Sequence, residues 1–464
     1  MAQRVNISSL NPAQREAATH IEGPLLILAG AGTGKTRVVT TRIAYLLQQG
    51  VPASDVLAVT FTNKAATEMR ERVSGMITKE QAKEVTVSTF HSLCVRVLRN
   101  SIQKLGYKRN FTIYTQSDQM GLLKRIIVRK AGRDEDLDAK DAQMRISAAK
   151  NKGEAIDEDD DSLVADVYRA YQQELKQLNA VDFDDLMLLA VRVLEDYQEV
   201  RESWRRSFRF IMVDEFQDTN ALQMRLLRTL VGPEKNVCVV GDDDQSIYGW
   251  RGALISNILD FERFFAGPKV VKLEENYRSV NSVLNLANSL IRHNLDRREK
   301  TLWSSKDDGG VARVISMPDA DAEADTVVTE ILDCHRMEGR RYDEFAILFR
   351  TNTQSRIFEE TLRKKDVPYK LIGGQSFFER REVKDLLGYL SLLLNHEDDI
   401  SLLRVINNPS RGIGNGVIAL AMDFSMEREC SIFSGAAPHG FHFSAVDAAE
   451  KMPSGASSNC LEIH

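Results

Sequence analysis

The stretch PLLILAGAGTGKT, Pro24 to Thr36, constrains the fold of this chain more than any other. An apolar run ends in small residues and passes directly into a helical period. Such a run is a buried strand, and the Gly-rich turn after it lets backbone N–H groups curl around phosphate oxygens at a helix N-terminus. AGAGTGKT, Ala29 to Thr36, therefore fits the phosphate-cradling loop with alanine in place of the first glycine. In that pattern Ala29, Gly30, Ala31, Gly32, Thr33 and Gly34 supply the cradle, with Arg37 one residue beyond it. Lys35 meets the β- and γ-phosphates and Thr36 binds Mg²⁺.

A strand–loop–helix unit of this kind needs a parallel sheet around it, and the pattern supplies one. DVLAVTFT and VTVSTF read as further strands, with helices expected over Thr36 to Leu47 and Lys64 to Val73. Strands resume at RFIMVDE, NVCVVGD and KVVKLEEN. Strands alternating with helices predict an α/β domain with crossover connections. Between about Leu93 and Arg205 no strand is expected, and amphipathic stretches such as SLVADVYRAYQQEL predict a helical insertion. A second α/β region is expected from Asn281, with strands ARVISMP (312–318) and EFAILFR (344–350) around a helix over Ala322 to Glu338. REVKDLLGYLSLLLN is helical again.

A second chemical signal matches the first. IMVDEFQD, Ile211 to Asp218, delivers two acids at the C-terminal end of a strand, where ligands sit in open α/β sheets. Asp214 is expected to hold the magnesium and Glu215 to orient or deprotonate an attacking water. A regulator that only binds nucleotide needs no second acid, so Glu215 favours hydrolysis. VVGDDDQSIYGWRGA, Val239 to Ala253, then joins polar groups suited to a phosphate with flat groups suited to a base. Base–aromatic stacking is available to a base of any identity, so the flat groups carry no sequence preference of their own. The aspartates Asp242 to Asp244 read as loop formers bonded to backbone N–H groups.

Together these motifs resemble the superfamily 1A DNA helicases of the UvrD/Rep/PcrA type, nearly collinearly from Leu10 to Gly414. LNPAQREA is similar to the family's Q motif, AVTFTNKAATEMRERV to motif Ia, and VSTFHSL to the DNA-contacting segment after it. VDEFQDTN is similar to motif II, GDDDQSIYGWRGA to motif III, and LEENYRS (Leu273–Ser279) to motif IV. NAVDFDDL and GGQSFFERREVKDLLGYL are further family segments.

The resemblance implies two RecA-like domains, each with a helical insertion, that use ATP to move 3′ to 5′ on single-stranded DNA and to unwind duplex. It implies that Gln14 reads the adenine edge, Tyr277 stacks on the adenine and Arg278 reaches the γ-phosphate, with Gln245 sensing that phosphate or its water. On the DNA side it assigns Phe61, Tyr248 and Trp250 to bases and adds polar contacts from Arg251 and His91. Its partners are single-stranded and 3′-tailed duplex DNA with repair or replication proteins, and the chain is expected as a monomer or a weak self-associate. The domain layout implied is 1–92 and 205–280 for a first RecA-like domain, 93–204 for its insertion, 281–378 for the start of a second, 379–434 for part of a second insertion, and 435–464 for an atypical tail.

Bulk properties agree with a soluble cytoplasmic protein. Hydrophobic residues make up 43% and charged residues 28%, and no run of about 18 apolar residues predicts a membrane span. The N-terminus lacks the apolar core of a signal peptide, and five scattered cysteines suggest reduced thiols. A net charge of −6 excludes a global basic field, so nucleic acid must be met along a local track. The acidic run EAIDEDDD reads as a solvated loop. A GTP-specific switch is disfavoured, because Asn63-Lys64 lacks the aspartate that would follow.

The family carries two later motifs, V and VI, the second with an arginine finger, and neither occurs in the 464 residues. The resemblance fades after RGIGNGVIALA, Arg411 to Ala421, and the segment beyond is rich in Gly, Ser and Ala. His439 and His442 there form no zinc pattern, since no second ligand pair is near. The expectation is a truncated helicase that binds ATP and DNA, hydrolyses weakly and does not unwind processively.

Overall fold

A computed structural model describes residues 6–130, 137–153, 162–372, 381–428 and 430–436. The acidic run at 154–161, the segment 373–380 and the tail from 437, with His439, His442 and His464, lie outside the described residues. The chain divides into two compact units, 1–312 and 313–464.

The first unit is built on a six-stranded sheet whose pairs are all parallel. Its strands are β1 (Leu25–Ala29), β2 (Val56–Thr60), β3 (Thr86–Thr89), β6 (Phe210–Val213), β7 (Val237–Gly241) and β8 (Lys269–Leu273), in the order β3-β2-β6-β7-β1-β8. The central strands β1, β2, β6 and β7 are buried at every position and almost wholly apolar, because both faces are covered. Leu26, Leu28, Leu57, Val59, Ile211 and Val213 enter one core cluster, and their neighbours Leu25, Ile27, Val56, Ala58, Phe210 and Met212 enter the other. β8 is an edge strand, and there the pattern becomes mixed, with Lys269, Val270 and Lys272 exposed and Val271 and Leu273 buried. Charged residues on such an edge oppose pairing with another chain.

The expected helices form over Lys35–Gln48 and Asn63–Ser74. The region read as a helical insertion contains helices Gln116–Lys130, Ala139–Lys152, Leu163–Gln177 and Phe183–Asp196. It also holds one element the periodicity did not predict, a parallel pair of two-residue strands, β4 (Thr112–Ile113) and β5 (Ala180–Val181). At that length a strand has no period to read. Behind it lies a buried ion cluster in which Lys150 Nζ stands 2.6 Å from Asp182 and 2.8 Å from Asp185, both in NAVDFDDL.

The second unit departs from expectation. Helices form over Ala320–Glu338, Ser355–Lys364 and Arg381–Leu394, but no strand is present among its described residues. ARVISMP and EFAILFR are extended segments without ladder partners, and Val314, Ile315 and Leu348 are exposed. A β-prone run becomes a strand only when a neighbour takes up its N–H and C=O groups, and no described segment does so here.

Candidate functional site

The Gly-rich loop, the two acids and the polar–aromatic loop leave the C-terminal ends of β1, β6 and β7, three adjacent strands. The loop after β1 needs glycine for steric reasons. Gly32 has φ +72°, and a Cβ on it would stand 2.7 Å from both Arg278 Cβ and Asn276 Nδ2. Gly34 has φ +89° and caps the helix Lys35–Gln48, and its added Cβ would come within 2.9 Å of Gln14 Nε2. Both the positive φ and the close approach exclude a side chain. Gly32→Ala is therefore expected to abolish detectable nucleotide binding and to lower the melting temperature, as read by thermal shift with and without ATP.

Gln14 is buried, donates from Nε2 to Thr33 O at 2.8 Å and forms a capping box with Asn11. Asn11 Nδ2 reaches Glu275 Oε2 and Tyr277 OH, each at 2.9 Å. Arg37 donates to Ser9 Oγ at 2.9 Å. Tyr277 and Arg278 are exposed beside the loop, and Tyr277 N donates to Gly32 O at 2.9 Å. Nothing in the sequence singled out Asn276, yet it joins the two segments. It is buried, its Nδ2 donates to Ala31 O at 2.5 Å, and its Oδ1 accepts from Arg278 N and Ser279 N.

Lys35 Nζ lies 2.9 Å from Glu215 Oε2, so the loop after β1 and the acids after β6 form one charged centre. Glu215 adopts φ 53° and ψ 44°, a left-handed conformation that a non-glycine residue holds at a cost of about 1–3 kcal/mol. Asp214 is buried and accepts from Glu215 N at 3.0 Å. Burial first, and then the Glu215 charge, push its carboxyl up to about 6, against the opposing pull of Lys35. Asp218 is raised to about 6 for the same reasons. The donors fit a divalent cation of the Mg²⁺ type. Thr36 and Asp214 offer hard oxygens, and such an ion takes one or two of these from protein and the rest from phosphate and water.

Gln217, also unnoticed in the sequence, ties this centre to the next loop. Its Nε2 donates to Glu215 Oε2 at 3.0 Å, and its Oε1 accepts from Asp242 N at 3.0 Å. The aspartates after β7 do accept from backbone N–H groups as expected, Asp242 Oδ1 from Asp244 N at 3.2 Å and Asp243 Oδ2 from Arg298 N at 2.7 Å, but cations that the sequence did not indicate hold them as well. Lys300 Nζ contacts Asp242, Asp243 and Asp244 at 2.9, 2.7 and 2.7 Å, and Arg297 grips Asp244 with two bonds of 2.8 Å. Carboxylates buried side by side require such cations. Gln245 Nε2 donates to Asp242 Oδ2.

Beyond Gln245 the loop turns outward. Trp250 is 74% exposed, so it is not a core tryptophan. The Arg251 guanidinium lies 4.8 Å from the Trp250 ring centre and 5.4 Å from that of Tyr248. The loop is anchored where it returns, since Leu254 N donates to Thr219 O at 2.9 Å and Ala253 bridges Asn220. Phe61 packs edge-on against Phe90 at 5.7 Å and is partly buried. His91 stacks on Phe183 with ring centres 4.2 Å apart, and burial holds its imidazole down at about 4. It is therefore neutral near pH 7 and presents a flat ring. Phe183, 53% exposed, is an aromatic set among acids in NAVDFDDL, and that contrast is the sequence signal that marks it.

These features define a RecA-like P-loop domain carrying an exposed aromatic loop. Residues 10–266 match the UvrD/REP helicase N-terminal domain, and residues 271–429 match the UvrD-like helicase C-terminal domain. The chain is 43% identical over 448 residues to the ATP-dependent DNA helicase PcrA of Staphylococcus epidermidis, covering 94% of this chain and 60% of that protein. It is 44% identical over 440 residues to the protein of the same name from Staphylococcus aureus, covering 92% and 59%. The chain belongs to the UvrD/REP helicase family, and it spans about 60% of the length of these relatives. No helix among the described residues is long and apolar enough to cross a membrane.

Proposed function

We propose that this chain is an ATP-dependent DNA helicase that hydrolyses ATP while moving 3′ to 5′ along single-stranded DNA. The observation that carries the reading is the loop after β7. It is bonded through Asp242 and Gln217 to Glu215, and within ten residues it exposes Tyr248, Trp250 and Arg251. ATP would be held by Gln14, the 29–36 loop, Arg37, Tyr277 and Arg278. Lys35 and Arg278 would neutralise the γ-phosphate, Gln245 would sense it, and Glu215 would orient or deprotonate the attacking water. Thr36 and Asp214 would hold Mg²⁺, which supplies charge neutralisation on the phosphates. Phe61, His91, Tyr248, Trp250 and Arg251, joined by Phe183, would form the stacking track for DNA. The cytoplasm is the fitting compartment, with repair or replication as the setting.

The test combines DNA-stimulated ATP turnover with strand displacement. Stimulation by oligo-dT and separation of a 3′-tailed but not a 5′-tailed duplex are expected. Turnover that ignores DNA would sink the proposal. A second reading is favoured by the second unit, which has no strand among its described residues: the 464-residue chain binds ATP and DNA without processive unwinding. Stimulated turnover without strand displacement would select it.

Trp250→Ala is expected to weaken oligo-dT binding roughly 5- to 150-fold, equivalent to about 1–3 kcal/mol for a lost stack. Salt dependence should be unchanged, because no phosphate contact is lost. At His91 the ring matters and the charge does not, so His91→Phe should retain binding between pH 6 and 8 where His91→Ala loses it; fluorescence anisotropy reads both.

A further inference from the structure

The segment from Arg297 to Trp303 belongs to none of the motifs above, yet it touches three of them. At one end Lys300, with its side chain 2% exposed, sits among Asp242, Asp243 and Asp244. Arg297 holds Asp244, and Arg298 N donates to Asp243 Oδ2 at 2.7 Å. At the other end Trp303 N donates to Glu274 O at 3.1 Å, and Trp303 O accepts from Asn276 N at 2.7 Å. Leu302 lies directly against Gly30, where an added Cβ would stand 2.3 Å from its Cδ2. One short strap thus connects the phosphate loop, through Leu302 and Asn276, with the DDDQ turn.

Three carboxylates on consecutive residues repel one another, and more strongly where water is excluded. Lys300 lets them stay together. With Asp242 fixed by Lys300 on Oδ1, its Oδ2 accepts from Gln245, six residues ahead of Arg251. Burial alone would lower the lysine's pKa, but the three aspartates outweigh it and hold the ammonium charged.

We propose that Lys300 is a positioning residue that couples the nucleotide site to the DNA-facing loop, by locking Asp242–Asp244 to the strap that Asn276 ties to the phosphate loop. This rests on the function proposed above. When the motif IV segment shifts with nucleotide, the strap carries the shift to Gln245 and the Tyr248–Arg251 turn.

The test is thermodynamic linkage, measured without turnover. The affinity of fluorescein-labelled oligo-dT is measured with and without AMP-PNP and Mg²⁺, in the wild type, Lys300→Met and Lys300→Arg. In the wild type the two affinities should differ by about 5-fold or more, the usual scale of site–site coupling. In Lys300→Met the ratio should fall to within about 2-fold of unity, while AMP-PNP affinity stays within about 2-fold of wild type. Lys300→Arg should restore part of the ratio, because a guanidinium can still bridge two of the carboxylates. A purely structural residue would lower all affinities together and leave the ratio intact. A folded Lys300→Met with the wild-type ratio overturns the inference. A wild-type ratio of one overturns the functional reading and this inference with it. If Lys300→Met fails to melt cooperatively, the isosteric Asp243→Asn takes its place. It leaves Lys300 on two carboxylates and should reduce the ratio, and an undiminished ratio overturns the inference.

Discussion

Glu215→Gln is expected to lower kcat for ATP hydrolysis by roughly 100- to 10,000-fold, the range for loss of a positioned general base. The nucleotide should remain bound. Glutamine matches the size of glutamate, and the left-handed backbone at 215 already fixes where the side chain starts. Gln217 Nε2, now donating to Glu215 Oε2 at 3.0 Å, can donate equally well to an amide oxygen. What disappears is the charge that pairs with Lys35 Nζ at 2.9 Å. The freed ammonium would be available to phosphate oxygens, so ATP affinity should be equal to the wild type's or tighter. Equilibrium binding of a fluorescent ATP analogue and single-turnover hydrolysis separate the two effects. Turnover within about 3-fold of wild type would remove Glu215 from the role of base.

The parts of this fold legible in the sequence are those whose signal is local. A strand buried on both faces is apolar throughout, so PLLILAG, RFIMVDE and NVCVVGD announced themselves, and Leu25 and Leu26 then fell on opposite faces by alternation. ARVISMP and EFAILFR carry the same composition without forming strands. Composition states that a segment is β-prone, whereas a ladder also needs a partner at the right distance. The site divides in the same way. AGAGTGKT and VDEFQD are contiguous, and their chemistry follows from their spacing. Asn276, Gln217 and Lys300 are single polar residues whose meaning lies in partners far along the chain. Lys300 and Asp243 are 57 residues apart and form a buried pair, so Lys300 in sequence is indistinguishable from a solvated lysine. Its three aspartates had an adequate local reading as turn formers, which left no sign that a cation was required.

Lys35→Met is expected to reduce kcat/KM for ATP roughly 100- to 1,000-fold, the usual loss when one preorganised charge is taken from a reacting phosphate or oxyanion. Its second consequence appears without any nucleotide. Lys35 faces Asp214, Glu215 and Asp218, and it opposes the burial and mutual repulsion that raise Asp214 and Asp218 to about 6. These two carboxyls hold their protons more tightly in the native state than in the unfolded chain, where the ordinary value is 3.8. Each therefore adds stability that is complete below the unfolded value and is lost as pH rises through about 6. Without Lys35 both folded values should rise further, and the cluster carries its repulsion uncompensated at neutral pH. The melting temperature of Lys35→Met should thus fall below that of the wild type between about pH 6 and 8, and the two should converge as pH approaches about 4. Paired thermal melts across that range read the difference directly, with unrelated titrations common to both proteins. A gap that stays constant with pH would mean that Lys35 does not balance the acids, and that its pairing with Glu215 is incidental to the electrostatics of the site.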